Sequence, residues 1–306
     1  MNRWESRPGV QALAVPPRLT IVIVSYNCRS VLEECLESLP RGAGALTYET
    51  VVVDNDSRDG TAAWLAETRP DVAVIKNTGN AGFARACNQG AACSRAEYVL
   101  FLNPDTVAGD GVFEKTLDYM ASTTDLAACG CKVLRPDGTL DLSCKRNFPS
   151  AWDALCRMGG LSRLFPRSRI FARYDARYVD EEQRQEVALI DGCYMMVRRY
   201  ALQDIGPFDE RFFMYAEEMD WCRRAWARGW SIGYDPTGTI VHLKGETTRR
   251  SPFRMLYHFH RSMALYCAKH YRPWNPILLV VYPGIVLRLA ALTFRNLMAM
   301  DKRVSA

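Results

Sequence analysis

Four short apolar runs, Thr20–Val24, Tyr48–Val53, Val72–Lys76 and Val99–Leu102, each end in polar turn residues and are separated by segments of helical pattern. Runs this short, rich in branched and aromatic residues, read as buried strands. Strands alternating with helices pair in parallel through right-handed crossovers, which bring every carboxyl end to one edge of the sheet. That edge would collect Tyr26 and Asn27, Asp54 and Asp56, Asn77 and Asn80, and Asn103 and Asp105. Asn and Asp are ordinary turn formers. Their recurrence after all four strands fits the edge at which open α/β sheets bind ligands. At the fourth run, Pro104 ends the pairing and leaves Asp105 at the strand's tip.

The segments between and after these strands complete an α/β pattern. Ser30 and Glu33 have capping-box spacing before a helix expected to stop at Pro40, and TAAWLAE predicts a helix ending before Pro70. The glycines of NTGNAGFARACNQG, residues 77–90, allow close backbone approach ahead of a third helix. A helix over Asp110–Met120 and a strand over Leu126–Val133 follow. Leu142–Arg177 is irregular, aromatic and basic, and reads as a long excursion over the active edge. One strand is expected over Glu186–Val197, with Asp191 and Gly192 in its middle, and a short helix over Arg199–Ile205. Glu217, Glu218 and Asp220 open a helix whose later turns carry arginines, an order that suits the helix dipole and makes Asp220 and Arg224 an i,i+4 pair. Strands over Ser231–Tyr234 and Thr239–Val241 then lead to His242.

The net charge of +5 over 306 residues is too small an excess to argue for nucleic acid. Its distribution matters more. Arg157, Arg163, Arg167, Arg169, Arg173 and Arg177 cluster, as do Lys244, Arg249, Arg250 and Arg254. Such clusters suit an anionic membrane surface or phosphate groups, or form a solvated face. Eleven cysteines without a CxxC pair, and residues 1–17 without an apolar core, predict a reducing compartment and no export. Residues 1–17 read as a flexible tail, 18–250 as one domain, and 251–306 as a separate helical region. In that last region Pro283, Gly284 and Arg288 interrupt the apolar run, which falls short of a membrane span. It reads as a helix pair on the membrane surface with Tyr271, Trp274 and Tyr282 at headgroup level, the alternative being a helix packed on the core.

The pieces IVIVSYN, VVVDNDSRDGT, NTGNAGFARACNQG, FLNPDT, RPDGT, KRNFPS, IDGCYMMVRR, GPFDERFFMYAEEMDWCRRA and IVH follow one another between Thr20 and His242. In this order and spacing they resemble the inverting family 2 glycosyltransferases of GT-A fold, most of all the rhamnosyltransferase branch. The resemblance implies an α/β fold with a mixed central sheet and flanking helices. It implies a divalent cation, Mn2+ or Mg2+, at Asp105 and His242, and an imidazole beside a carboxylate favours manganese. Asn103 stands where the commoner motif has an acid, so waters and the donor diphosphate would fill the coordination shell. Glu218 occupies the place of the catalytic base, usually Asp, with Glu217 and Asp220 as alternates.

For the nucleotide-sugar the resemblance implies Ser25, Tyr26, Asn27 and Asp54 around the base, Tyr26 stacking and Asp54 accepting an N–H. Asn80, Gly82, Arg85, Asn88 and Asn103 would line the nucleotide and sugar, and Asp191 and Gly192 the donor sugar or acceptor. The donor it favours is dTDP-L-rhamnose, with UDP-galactofuranose or UDP-N-acetylglucosamine as the alternative. The acceptor would be a saccharide or a polyprenyl-diphosphate-linked saccharide of the cell envelope, met on the cytoplasmic face of the membrane. A non-catalytic nucleotide-sugar binding protein is the rival outside enzymes.

Overall fold

The computed structural model describes residues 17–243, 252–275 and 278–304. Most of the expected tail, with Lys244, Arg249 and Arg250 of the second basic cluster, lies outside the described residues. The first half of the domain alternates β1 (Leu19–Ser25), α1 (Arg29–Ala43), β2 (Tyr48–Asp54), α2 (Thr61–Thr68), β3 (Val72–Lys76), α3 (Phe83–Cys93) and β4 (Tyr98–Leu102). β5 (Thr106–Ala108), α4 (Val112–Ser122) and β6 (Leu126–Leu134) come next. The excursion carries β7 (Lys145–Arg146), α5 (Ala151–Met158) and α6 (Leu161–Leu164), followed by β8 (Gln185–Glu186), β9 (Leu189–Ile190) and β10 (Tyr194–Arg198). α7 (Arg199–Ile205), α8 (Glu217–Ala227), β11 (Ser231–His242), α9 (Pro252–His270) and α10 (Leu278–Val304) complete the chain.

The main sheet runs β3-β2-β1-β4-β10-β6-β11-β5, with β8 on β11. As the alternation predicts, β1 pairs in parallel with β2 and β4, and β2 with β3. Every residue of β1 and β4 is buried, as for strands covered on both faces. β10 enters antiparallel between β4 and β6, making the sheet mixed. The eleven cysteines are free thiols, all buried except Cys93. They are packing residues, and burial pushes the Cys35 thiol up to about 12.

α3 crosses β1 so closely that a Cβ at Gly90 would collide with a Val22 methyl. Gly→Ala inside a helix ordinarily gains up to about 1 kcal/mol in propensity. Here the overpacking cost of about 1–3 kcal/mol outweighs that gain. Gly90→Ala is therefore expected to lower the urea midpoint, and a midpoint unchanged or raised would show that β1 and α3 can separate freely.

Several expectations are corrected. α1 does not stop at Pro40 but runs to Ala43. Tertiary contacts hold the extra residues: Arg41 donates to the Ala108 carbonyl at 2.9 and 2.6 Å, and Gly42 lies against Ala108 and Phe113. The Ser30–Glu33 capping box is absent, since the helix begins two residues earlier, with Cys28 as its N-cap, and the Arg29 N–H donates to Asp59 Oδ2 at 2.9 Å. The single strand over Glu186–Val197 is three pieces, because each finds a different partner: β8 pairs with β11, β9 with β7, and β10 with β4 and β6. Asp191 and Gly192 occupy the turn between the last two, where Asp191 Oδ1 accepts from Cys193 N at 3.1 Å. The closing strands are one, β11, with a bulge between Asp235 and Thr239.

In the carboxyl-terminal region α9 packs on the core. α9 docks on the domain through Lys269 to Asp209 at 2.7 Å, Ser262 Oγ to the Met214 carbonyl at 2.8 Å, and a Phe213–His258 stack at 4.2 Å. Tyr271, expected at headgroup level, donates to the Pro149 carbonyl at 2.9 Å. α10 packs on α9 and leaves Leu279, Val286 and Leu287 exposed. Among the described residues no helix is long and apolar enough to cross a membrane.

Candidate active site

The tips of β1 and β2 lie side by side, Ser25 in register with Asp54. Asn55 N donates to the Ser25 carbonyl and Asn77 N to the Asp54 carbonyl, both at 2.9 Å, which fixes three successive strand ends. Asp54 is buried; its Oδ2 accepts from Ser57 N at 3.2 Å, while Oδ1 has no hydrogen-bond partner. A buried carboxylate oxygen without a donor is costly, and this one could accept a further N–H. Tyr26 is half-buried at the same tip. Asn27, in the left-handed region at φ 51°, ties the neighbouring loop through its N–H to Ser57 Oγ (2.9 Å) and its Oδ1 to Arg58 N (2.7 Å). Ser25 is buried, its hydroxyl 3.4 Å from Cys28 Sγ.

Along residues 80–88 the structure gives other work to side chains expected at the nucleotide. Asn88 donates to the Phe208 carbonyl (2.9 Å) and Glu210 Oε1 (3.1 Å) and accepts from Phe208 N (3.0 Å), so its amide pins the 208–210 loop. Gly82 has φ 87° and faces the Phe213 backbone, whose carbonyl would sit 2.6 Å from an added Cβ. Its close approach is to the protein itself. Asn80 Oδ1 accepts from Gly82 N at 3.0 Å, and Arg85 is an exposed partner of Glu210 at 3.8 Å.

At the tip of β4, Asp105 Oδ1 lies 3.2 Å from His242 Nε2, and both residues are buried. Asn103 Nδ2 is 3.5 Å from the same ring nitrogen, and Leu243 N donates to the Asp105 carbonyl at 2.8 Å. His242 arrives because β11 pairs antiparallel with β5, placing it opposite Thr106. Its Nδ1 is buried with no partner. Among the described residues no group of three or more His, Cys, Asp or Glu could cage a metal ion. Asp105 Oδ1, His242 Nε2 and the Asn103 amide are the groups that could face a cation taking its remaining ligands from a bound diphosphate.

Glu217 and Glu218 begin α8, and both are buried. The preceding Tyr215 and Ala216 are left-handed at φ 70° and 68°, a strain of about 1–3 kcal/mol each for non-glycine residues. α9 buttresses this loop through Ser262 and through a Tyr215–Phe259 edge contact at 5.6 Å. Burial raises the Glu218 carboxyl above the usual carboxylate range, the Arg146 guanidinium opposes the rise, and Asp191 adds to it. Arg146 Nη2 meets Glu218 Oε1 at 3.1 Å, and Arg146 is itself held by Tyr174 Oη (3.0 Å) and the Ser143 carbonyl (3.1 Å). Burial pushes Glu217 well above the usual range, and the charge of Glu218 adds to this; its Oε2 has no partner. Asp220 differs. Burial favours its neutral form, but hydrogen bonds from His270 (2.7 Å) and Lys269 (2.8 Å) and the Arg224 guanidinium (2.9 Å) outweigh that and hold its carboxyl low.

One turn joins the two halves. Asn103 N donates to the Cys193 carbonyl at 3.0 Å, while Gly192 faces Glu218, with an added Cβ 3.8 Å from the Glu218 Cβ. Residues 191–193 thus touch Asn103, two residues before Asp105, through Cys193, and Glu218 through Gly192. Arg146 was not among the expected site residues. Its signal was the KRNFPS piece, whose arginine comes to the site because β7 pairs with β9.

The model of the glycosyl transferase family 2 matches residues 20–206. N-acetylglucosaminyl-diphospho-decaprenol L-rhamnosyltransferase of Mycobacterium tuberculosis is 30% identical over 270 residues, 84% of this chain and 86% of that one. The low-salt glycan biosynthesis hexosyltransferase Agl10 of Haloferax volcanii is 27% identical over 73% of this chain and 66% of its own. Among solved structures, the mannosyltransferase PcManGT of Pyrobaculum calidifontis, in complex with GDP-Man and Mn2+, superposes with a TM-score of 0.58 at 20% identity, covering 99% of this chain and 85% of that one. GalNAc-T7 with UDP, GalNAc and Mn2+ gives 0.55 at 15% identity, covering 75% and 44%. The sheet order, the strand-tip site and these likenesses agree: the chain is a glycosyltransferase of family 2, of GT-A fold, with a rhamnosyltransferase relative.

Proposed function

We propose that the chain transfers L-rhamnose from dTDP-L-rhamnose, with inversion, to a lipid-linked saccharide on the cytoplasmic face of the membrane. The observation that carries this reading is the 191–193 turn, which bonds Asn103, two residues before Asp105, and packs on Glu218. The name of the mycobacterial relative supports both sugar and acceptor class. Glu218 takes the proton of the acceptor hydroxyl as its oxygen attacks the anomeric carbon. The bond from that carbon to the diphosphate breaks, and its electron pair leaves with the nucleotide. Asp105 and His242 would hold a divalent cation, which would supply positive charge where the leaving diphosphate gathers negative charge. Tyr26 and Asp54 hold the base, Asp54 through its unpartnered oxygen. Asp220, surrounded by cations, anchors α9.

Arg146 positions Glu218 and opposes the rise of its carboxyl. Removing the guanidinium removes what opposes the rise of the Glu218 carboxyl, so Arg146→Met raises it further. A base must be ionised to work, and rate falls as pH drops through its pKa. The acidic limb of the kcat/KM profile is thus expected to move to higher pH in Arg146→Met. An unmoved limb would leave Arg146 only a packing role.

The donor is tested by thermal stabilisation with manganese across dTDP-L-rhamnose, UDP-galactofuranose, UDP-N-acetylglucosamine and GDP-mannose. A ligand at 100 times its Kd stabilises by about 2.7 kcal/mol. The largest shift is expected with dTDP-L-rhamnose. A larger shift with a UDP-sugar would reassign the donor, and binding without transfer to any acceptor would favour the non-catalytic alternative.

A further inference from the structure

The excursion between β7 and β8 does more than bring Arg146 to Glu218. Its outer side exposes large apolar residues that a soluble face would not collect: Trp152 and Leu155 one turn apart on α5, then Leu164, Phe165 and Ile170. Leu164 and Ile170 are 70% and 62% exposed. Arginines are interleaved with them at 157, 163, 167, 169 and 173, with no Asp or Glu between Asp153 and Asp175. Arg157 reaches Asp175 at 3.5 Å and Arg169 lies over the Tyr178 ring, but Arg163 and Arg167 are exposed with no ion-pair partner among the described residues. Exposed apolar groups of this extent mark an interaction face. Arginine stems can lie along apolar matter with their charges at a polar boundary, and tryptophan favours the same boundary.

We propose that α5, α6 and the loop to Ile170 form the face by which the chain rests on an anionic lipid surface. Charge decides the occupant: Arg173 meets Asp153 and Arg157 meets Asp175, but the exposed Arg163 and Arg167 would repel a second copy of the same patch, whereas anionic headgroups match them. α10, bearing exposed Leu279 and Leu287, touches α5, and Tyr271 bonds the Pro149 carbonyl just ahead of α5. The face is also joined to chemistry, because Arg146 lies five residues before Ala151, where α5 begins. A surface-bound excursion would thus set the proposed base beside the layer that carries a lipid-linked acceptor. The inference deepens the membrane-borne acceptor reading, but its test uses lipid alone, so either can fail without the other.

The test is flotation of the full chain with phosphatidylcholine vesicles and with phosphatidylcholine–phosphatidylglycerol vesicles. The chain is expected to float with the anionic vesicles only, and to be released by salt. Leu164→Glu with Ile170→Glu, and separately Arg163→Glu with Arg167→Glu, should each cut the bound fraction by at least about tenfold. Both pairs are exposed, and unchanged binding of dTDP with manganese checks that the variants are folded. Leu279→Glu with Leu287→Glu on α10 should keep most of the binding. The proposal is overturned if the wild-type chain stays with the soluble fraction, or if only the α10 variant loses flotation. It is equally overturned if the Leu164 and Ile170 changes convert a dimer to a monomer while flotation is unaffected.

Discussion

Glu218→Gln is expected to lower kcat/KM for sugar transfer by about 10²- to 10⁴-fold, the span over which a positioned general base contributes. The amide keeps the length of the side chain and an oxygen to accept from Arg146, so the 3.1 Å contact can persist. What disappears is the capacity to take the acceptor's proton. Nucleotide binding with manganese should be unchanged, because Asp54, Tyr26, Asp105 and His242 are untouched. Glu217→Gln is the comparison. Burial holds the Glu217 carboxyl well above the usual range, and its Oε2 meets no partner, so a neutral amide differs little from the acid it replaces. A loss within several-fold is expected there. If the two variants behaved the other way round, the base would be Glu217, one residue earlier on α8.

Asp105→Ala is expected to produce the second large loss, about 10²- to 10³-fold, and to abolish the response to manganese and to chelator. Stabilising a leaving diphosphate is a matter of several kcal/mol, and each 1.36 kcal/mol is about a factor of ten. The substitution removes the carboxylate 3.2 Å from His242 Nε2 and leaves one imidazole nitrogen and an amide to hold a divalent cation. Binding of dTDP alone, through Asp54 and Tyr26, should survive. Transfer by Asp105→Ala at the wild-type rate with chelator present would remove the cation from the account.

The part of the fold legible in the sequence is the part governed by local pattern. β1 to β4 are short apolar runs closed by turn residues, and they fold and pair as that pattern dictates. The order of β10, β6 and β11 depends on long-range pairing, which leaves no periodicity behind. The piece Glu186–Val197 reads as one strand because its composition is uniform, yet its parts serve three separate partner sets. Pro40 reads as a stop because the sequence does not show Ala108 and Phe113 waiting for the next turn.

The site divides in the same way. Asp54, Asp105, Glu218 and His242 were legible as acids or histidine at strand tips or in family motifs. That Asn88 would pin the 208–210 loop, that Gly82 would face Phe213, and that Arg146 would meet Glu218 could not be read locally, since the partners lie 72 to 131 residues apart.

The most direct test is a crystal structure of the chain grown with dTDP and manganese. The account predicts an anomalous manganese peak between Asp105, His242 and the diphosphate, thymine against Asp54 and Tyr26, and Glu218 facing open space beside the β-phosphate. Nucleotide or manganese bound away from the β4 tip, with Asp105 and Glu218 on no common cleft, would contradict it.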